Sequence, residues 1–179
     1  MGFEIKLKIE KIRPPKTVIL KWNPSISSYK MEQFEEELAD MRGGWDILDA
    51  NWSVWDYKNV QEGDRFYMVK VGPGENGIVM SGILSSEPYQ LEDWSGRGRV
   101  VYYMDMDIID MIHPDYCPLL TSDKLTEEIP DFTWTGGHSG VILTDEQAEK
   151  LDKLWFKYLS ENELMIKNTS VSRRNLEEN

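Results

Sequence analysis

The chain reads as an α+β protein, built as a small curved sheet or β-barrel with helices at its periphery. Three observations predict this. Short segments rich in β-branched and aromatic residues recur between Gly, Pro and Asn turns, at strand rather than helix length. Two or three amphipathic stretches interrupt them with helical spacing. Glycines fall at a hairpin turn and inside a strand, where a small closed sheet must bend. The length of 179 residues suits one domain, and a 40% hydrophobic content supplies a packed core.

The elements follow in order. Phe3, Ile5, Leu7 and Ile9 alternate with Glu4, Lys6 and Lys8, the pattern of a half-buried strand. Arg13-Pro14-Pro15-Lys16 ends it, because proline donates nothing to a ladder. Residues 17–22 form a second strand that stops at the Asn23-Pro24 turn. Ser27-Ser28 offers an N-cap for a helix over about 29–41. Phe34, Leu38 and Met41 make its buried stripe, and Glu32, Glu35, Glu36, Glu37 and Asp40 a solvated face. Gly43-Gly44 stops it. Residues 51–55 are a short strand, and 65–71 and 78–84 are hairpin partners across the glycine-rich turn 72–77. A polar loop reaching Arg99 holds Trp94 and Arg97. A long strand follows over 100–111.

Thr121-Ser122-Asp123 caps a short helix over 124–128, and 131–140 is loop by composition. Thr144 and Gln147 make a capping box for a helix running to about 159, with Ala148, Leu151, Leu154, Trp155 and Tyr158 inward. Residues 161–179 are polar and aperiodic, which predicts a tail on a single domain spanning 1–160.

Charge narrows the function. Twenty Lys and Arg stand against 32 Asp and Glu, a net charge of −12. A chain this acidic does not coat nucleic acid by general attraction to phosphate, so such a role needs a local basic patch and a specific pocket. No apolar run approaches the ~20 residues of a membrane helix. The alternating N-terminus is unlike a signal peptide, and the single cysteine, Cys117, fits a reducing compartment, so a cytoplasmic location is expected. His113 and Cys117 lie four apart, but with one other histidine they do not complete a zinc site. Asp105 and Asp107 share a strand face that suits either a hard cation or solvent. No nucleophile elbow, phosphate loop or dinucleotide fingerprint is present. No catalytic residue, metal or cofactor is therefore expected.

The stretch Asn59-Val60-Gln61-Glu62-Gly63-Asp64-Arg65-Phe66-Tyr67-Met68-Val69, followed by Gly82 within Ile78-Val79-Met80-Ser81-Gly82-Ile83, resembles the central motif of the PUA-like superfamily. That group includes the PUA, ASCH, YTH and EVE domains. Trp52-Ser53-Val54-Trp55 and the helices at 29–41 and 145–159 look most similar to the EVE branch. The likeness covers roughly residues 17–160, with specific residues only in 59–84. It leaves out residues 3–9 and the longer loops 86–99 and 131–140. Its implication is a barrel that binds RNA, or that holds a flipped or modified base in an aromatic pocket.

Seven tryptophans are a rich supply for that purpose. The candidate ligand-binding residues are Trp22, Asn23, Trp52, Ser53, Trp55, Trp94, Arg97, Arg99, Trp134 and His138. Trp22 and Asn23 end a strand at a turn, where packing and capping are their alternatives. Trp52 and Trp55 face opposite sides of a strand. Trp94 with Arg97 and Arg99 suits stacking beside a phosphate. Trp134 and His138 lie in a glycine-rich loop able to approach a ligand closely. The nucleic-acid reading competes with two others. One is a protein partner docked on exposed tryptophans. The other is an RNA- or nucleotide-processing enzyme using Asp105, Asp107 and His138.

Overall fold

The structure, a computed structural model, describes residues 13–92 and 97–176. The strand expected over 3–9 and the candidate Trp94 lie outside the described residues. The α+β class holds: a mixed sheet curls into a half-barrel with four helices around it among the described residues. None of these helices is long and apolar enough to cross a membrane.

Strand β1 (Thr17–Trp22) pairs in parallel with β3 (Arg65–Lys70). Both are buried almost throughout, which explains their near-continuous apolar sequences. β3 returns through the glycine turn as β4 (Gly77–Leu84), antiparallel to it. The long strand β6 (Val100–Met111) pairs with β4 through its C-terminal half. Its N-terminal half pairs with β2 (Asn51–Ser53) and β5 (Tyr89–Glu92). β5 corrects the expected loop over 86–99, since residues 89–92 find an open edge of β6. β7 (Leu120–Thr121) pairs with the start of β4, and β8 (Val141–Ile142) with β1. The main order is β2-β6-β4-β3-β1-β8.

The curl has a local cause. The β4–β6 register shifts between Ser81 and Gly82. A Cβ at Gly82 would overlap the Asp107 carbonyl oxygen and come within 2.8 Å of the Phe66 ring. Only a residue without a side chain lets these strands approach so closely.

Helix α1 (Met31–Arg42) buries Phe34, Leu38 and Met41, as its spacing predicts. It starts two residues later than expected. The Gln33 side chain accepts the Lys30 N–H, while Ser27 caps the Tyr29 N–H instead. Helix α2 (Ser122–Glu128) is capped by Thr121, and α3 (Asp145–Glu161) by the reciprocal Thr144–Gln147 box.

Two fully buried carboxylates tie the ends of the chain to this body. Asp64 accepts both Arg13 guanidinium nitrogens, at 2.8 and 2.9 Å, and the backbone N–H groups of Lys16 and Gln61. Asp110 accepts the Trp155 indole N–H at 3.0 Å, the Ser81 and Ser172 hydroxyls, and Arg174 Nε at 3.0 Å. This second cluster corrects the expected tail over 161–179, of which residues up to 176 are described. They form helix α4 (Glu163–Thr169), strand β9 (Val171–Ser172) on β6, and a 3-10 turn. Short polar elements escape a periodicity reading because their anchors, Ser172 and Arg174, are hydrogen-bonding groups and not an apolar stripe.

Gly82→Val is expected to destabilise the fold by about 3 kcal/mol, the upper end for overpacking. A lowered urea midpoint would register it, whereas an unchanged midpoint would show that β4 and β6 are free to part there.

Candidate functional site

A cavity of about 1040 Å³ opens between α1, the β2–β6 strand pair and the loop 137–139. Met80, Met106, Ile108 and Tyr103, from β4 and β6, supply an apolar floor. Tyr29 and Trp52 are its aromatic walls, and Ile26 and Leu48, the latter 87% exposed, belong to its rim.

The walls are held from behind. The Trp52 indole N–H lies 3.2 Å from both the Lys21 carbonyl and Ser139 Oγ. Its ring meets Tyr29 edge-on, with centroids 5.7 Å apart at 88°. Tyr29 leans in turn on Trp22 at 5.2 Å, and Trp22 stacks on Phe34 at 5.3 Å. The late start of α1 matters here, because it leaves Tyr29 in the entry loop and able to face the cavity. The loop 137–140 is stitched between two segments. Gly140 donates to the Ile19 carbonyl, and the Ser139 and Gly140 carbonyls accept Trp55 and Asp56. Gly140 has φ +89°, and a Cβ there would lie 2.7 Å from the Trp55 nitrogen.

The electrostatics of the cavity are one-sided. Glu37, Asp40, Asp46 and Asp49 line it, and Lys21 is the one Lys or Arg among its described lining residues. The Lys21 ammonium is already engaged by the carbonyls of Thr133, at 2.8 Å, and Gly136, and sits over the Phe132 ring. Burial holds its pKa down. Burial also pushes the Glu37 carboxyl up, with the charges of Asp40 and Glu36 adding to the rise and the Tyr29 hydroxyl opposing it. The Tyr29 hydroxyl is buried without a hydrogen bond of ordinary geometry, and burial and the Glu37 charge raise its pKa.

Of the ten candidates, the structure brings four to this cavity: Asn23, Trp52, Ser53 and His138. Trp55 lies just outside, 59% exposed and stacked on His138 with centroids 3.5 Å apart. Arg97 and Arg99 are exposed in the segment leading into β6 and are not among the lining residues. The places on the wall expected for Trp22 and Trp134 are corrected, since each is only 1% exposed. Their indole N–H groups find backbone carbonyls inside, Tyr29 at 2.7 Å and Ile129 at 3.0 Å, so the whole side chain enters the core.

Asp105 accepts the Tyr89 hydroxyl at 2.5 Å, while Asp107 is exposed. His113 and Cys117 are both buried, with His113 Nε2 3.2 Å from Glu35. Among the described residues no three His, Cys, Asp or Glu side chains gather as a metal site.

Sequence reasoning missed Tyr29, Tyr103 and Glu37. A signal for Glu37 existed: it lies three residues after Phe34 and four before Met41, beside the buried stripe. The acidic run around it hides that signal, because Glu32, Glu35, Glu36 and Asp40 are all exposed.

No protein-family model matches the chain, and no curated protein matches it. Solved structures do. A hypothetical protein from Leishmania major aligns with TM-score 0.52 at 9% identity, over 80% of this chain and 96% of that one. A Pseudomonas syringae protein gives 0.49 at 16%, over 77% and 98%. The Mmi1 YTH domain, in a complex with RNA, gives 0.47 at 12%, over 89% and 84%. At 9% identity the likeness to the first of these is one of fold.

The raised Glu37 pKa sets a pH dependence. The folded state binds this proton more tightly than the unfolded chain, so ionised Glu37 costs stability above its folded pKa. That cost disappears as pH falls towards the ordinary value of 4.5. Glu37→Gln is therefore expected to raise Tm at pH 7, with the gain vanishing below about pH 4.5. Thermal melts across that range check it.

Proposed function

We propose that the chain is a non-catalytic nucleic-acid-binding module that takes one nucleobase, modified or flipped out of its strand, into the cavity walled by Trp52 and Tyr29. The carrying observation is the Trp52 ring. Its N–H is fixed to two acceptors and its edge to Tyr29, so an aromatic wall stands ready before any ligand arrives. Base stacking on such a surface is worth ~1–3 kcal/mol. The volume accommodates a nucleotide-sized ligand. The Gly63-Asp64 turn, the hairpin and Gly82 support a PUA-like module, nearest the EVE branch, with RNA or modified DNA as its partner.

An acidic cavity fits a base better than a phosphate. Backbone contacts then fall to a few cations, Arg97 and Arg99 among them. The slope of log affinity against log salt is accordingly expected to be small, of order one to three. A steep slope in fluorescence anisotropy would reveal an extended basic surface instead.

A second reading, docking of a protein partner, draws on Ile26, Trp45, Leu48 and Trp55, which are exposed. The two separate on mutation. Trp52→Ala is expected to weaken binding of short single-stranded RNA or DNA carrying methylated bases by ten- to a hundredfold, at little cost in Tm. If no such oligonucleotide binds the native chain, the base-binding reading fails.

A further inference from the structure

Resting on that base-binding reading, we propose that the site reads a strand and not a free nucleotide: while one base enters the cavity, a base next to it in the strand stacks outside on the exposed ring of Trp55. Ser139 holds the two tryptophans concerned. Its Oγ lies 3.2 Å from the Trp52 indole nitrogen, and its carbonyl accepts the Trp55 backbone N–H at 3.0 Å. Trp52 lines the cavity, whereas Trp55 is 59% exposed and is not among the lining residues. Their Cα atoms, three residues apart, are separated by at most about 11 Å. An unpaired strand with its bases splayed apart spans such a step.

Trp55 is supported from below. Its ring lies flat on the His138 imidazole, with centroids 3.5 Å apart and planes at 0°. His138 lines the cavity, so the stack begins at the cavity wall and ends at the surface. No second ring stacked on Trp55 is found among the described residues. The backbone on either side is tied down as well. Val54 donates to the Tyr102 carbonyl at 2.8 Å, and Asp56 to the Gly140 carbonyl at 3.0 Å. A ring fixed in this way loses little freedom when a ligand covers it.

The surroundings fit a nucleotide as the occupant. The turn that carries Trp55 also carries Lys58, which is exposed, with its ammonium 5.9 Å from the Tyr57 ring centroid. Tyr57 is held in turn by stacking on Tyr102 of β6, with centroids 3.6 Å apart at 7°. The acid next to Trp55 is engaged, since an Asp56 carboxylate oxygen accepts the Ile142 N–H at 2.9 Å. The exposed side chains of this turn thus include a planar apolar ring and a cation, the pairing that suits a base joined to a phosphate. Continuity with the cavity through His138 says which base: the one adjoining the base taken inside.

The test uses the full chain and single-stranded pentanucleotides, as RNA and as DNA, with 6-methyladenine or 5-methylcytosine at the centre. In a second set one neighbour of the central nucleotide, on the 5′ or the 3′ side, is abasic, which removes a base and keeps every phosphate. The native chain is expected to bind one of these abasic strands roughly ten- to a hundredfold more weakly than the intact strand. Trp55→Ala should lose a similar factor on the intact strand and no longer tell it from that abasic one, to within about threefold. Trp55→Phe should keep most of the preference, and Trp52→Ala should weaken intact and abasic strands alike. The Tm of Trp55→Ala confirms that the variant is folded. Equal binding of intact and abasic strands by the native chain, or an unchanged preference in Trp55→Ala, overturns the proposal, and binding that still depends on Trp52 then leaves the base-binding reading standing. A Trp55→Ala variant that binds every strand as the native chain does also overturns it and assigns the exposed ring to a protein partner. Failure of every probe to bind the native chain removes both.

Discussion

One close approach governs the architecture: at Gly82 the backbone of β4 meets the Asp107 carbonyl with no side chain between them. The register shift at that point bends β4 against β6, so that β6 can serve two neighbourhoods along its 12 residues. Its C-terminal half closes the sheet against β4 and β9, while its N-terminal half reaches β2 and β5. Trp52 therefore sits opposite Met104, and Ser53 opposite Tyr103. Wall and floor of the cavity hang from the same strand pair, and the geometry of the site is inherited from a bend in the barrel.

The buried charges divide into two kinds. Asp64 and Asp110 each have several donors, including an arginine, and each joins segments distant in sequence. Burying a carboxylate costs several kcal/mol unless such partners replace water. These two groups act as knots in the fold. Glu37 has no cation of this kind among the described residues. It stands half-buried on a cavity wall, among other acids, where ionisation works against folding. A chain selected for stability alone has no use for such an acid beside Phe34 and Met41.

Much of the architecture was legible in the residues, because it rests on patterns with a fixed period or a fixed turn. The continuous apolar strands at 17–22 and 65–70, the glycine hairpin, the Phe34–Leu38–Met41 stripe and the Thr144 capping box all follow local rules. The site was less legible, because its members come from places where two local readings compete. Tyr29 could begin a helix or end a loop, and the Lys30–Gln33 cap decided for the loop. Trp22 and Trp134 stand beside turns, as rim residues do, yet backbone carbonyls within the core took their indole N–H groups. Residues 163–176 carry little periodicity, and their place depends on Asp110, a residue more than 50 positions earlier. Such long-range satisfaction of a polar group leaves no spacing to read.

The parallel pairing of β1 with β3 has a consequence for how the molecule is made. β1 has no neighbour close in sequence: it pairs with residues 65–70 on one side and 141–142 on the other. As the chain leaves the ribosome, this apolar strand emerges before both of its partners and waits. One edge stays open until residues 65–70 are out, and the other until residues 141–142 have followed. Loop-closure entropy on both sides is spent before either ladder rewards it, which slows assembly. In that interval the strand Thr17–Trp22 offers bare backbone donors and acceptors to any other extended chain nearby. The same non-local pairings that hold β1 in the sheet leave it exposed to misassembly during synthesis.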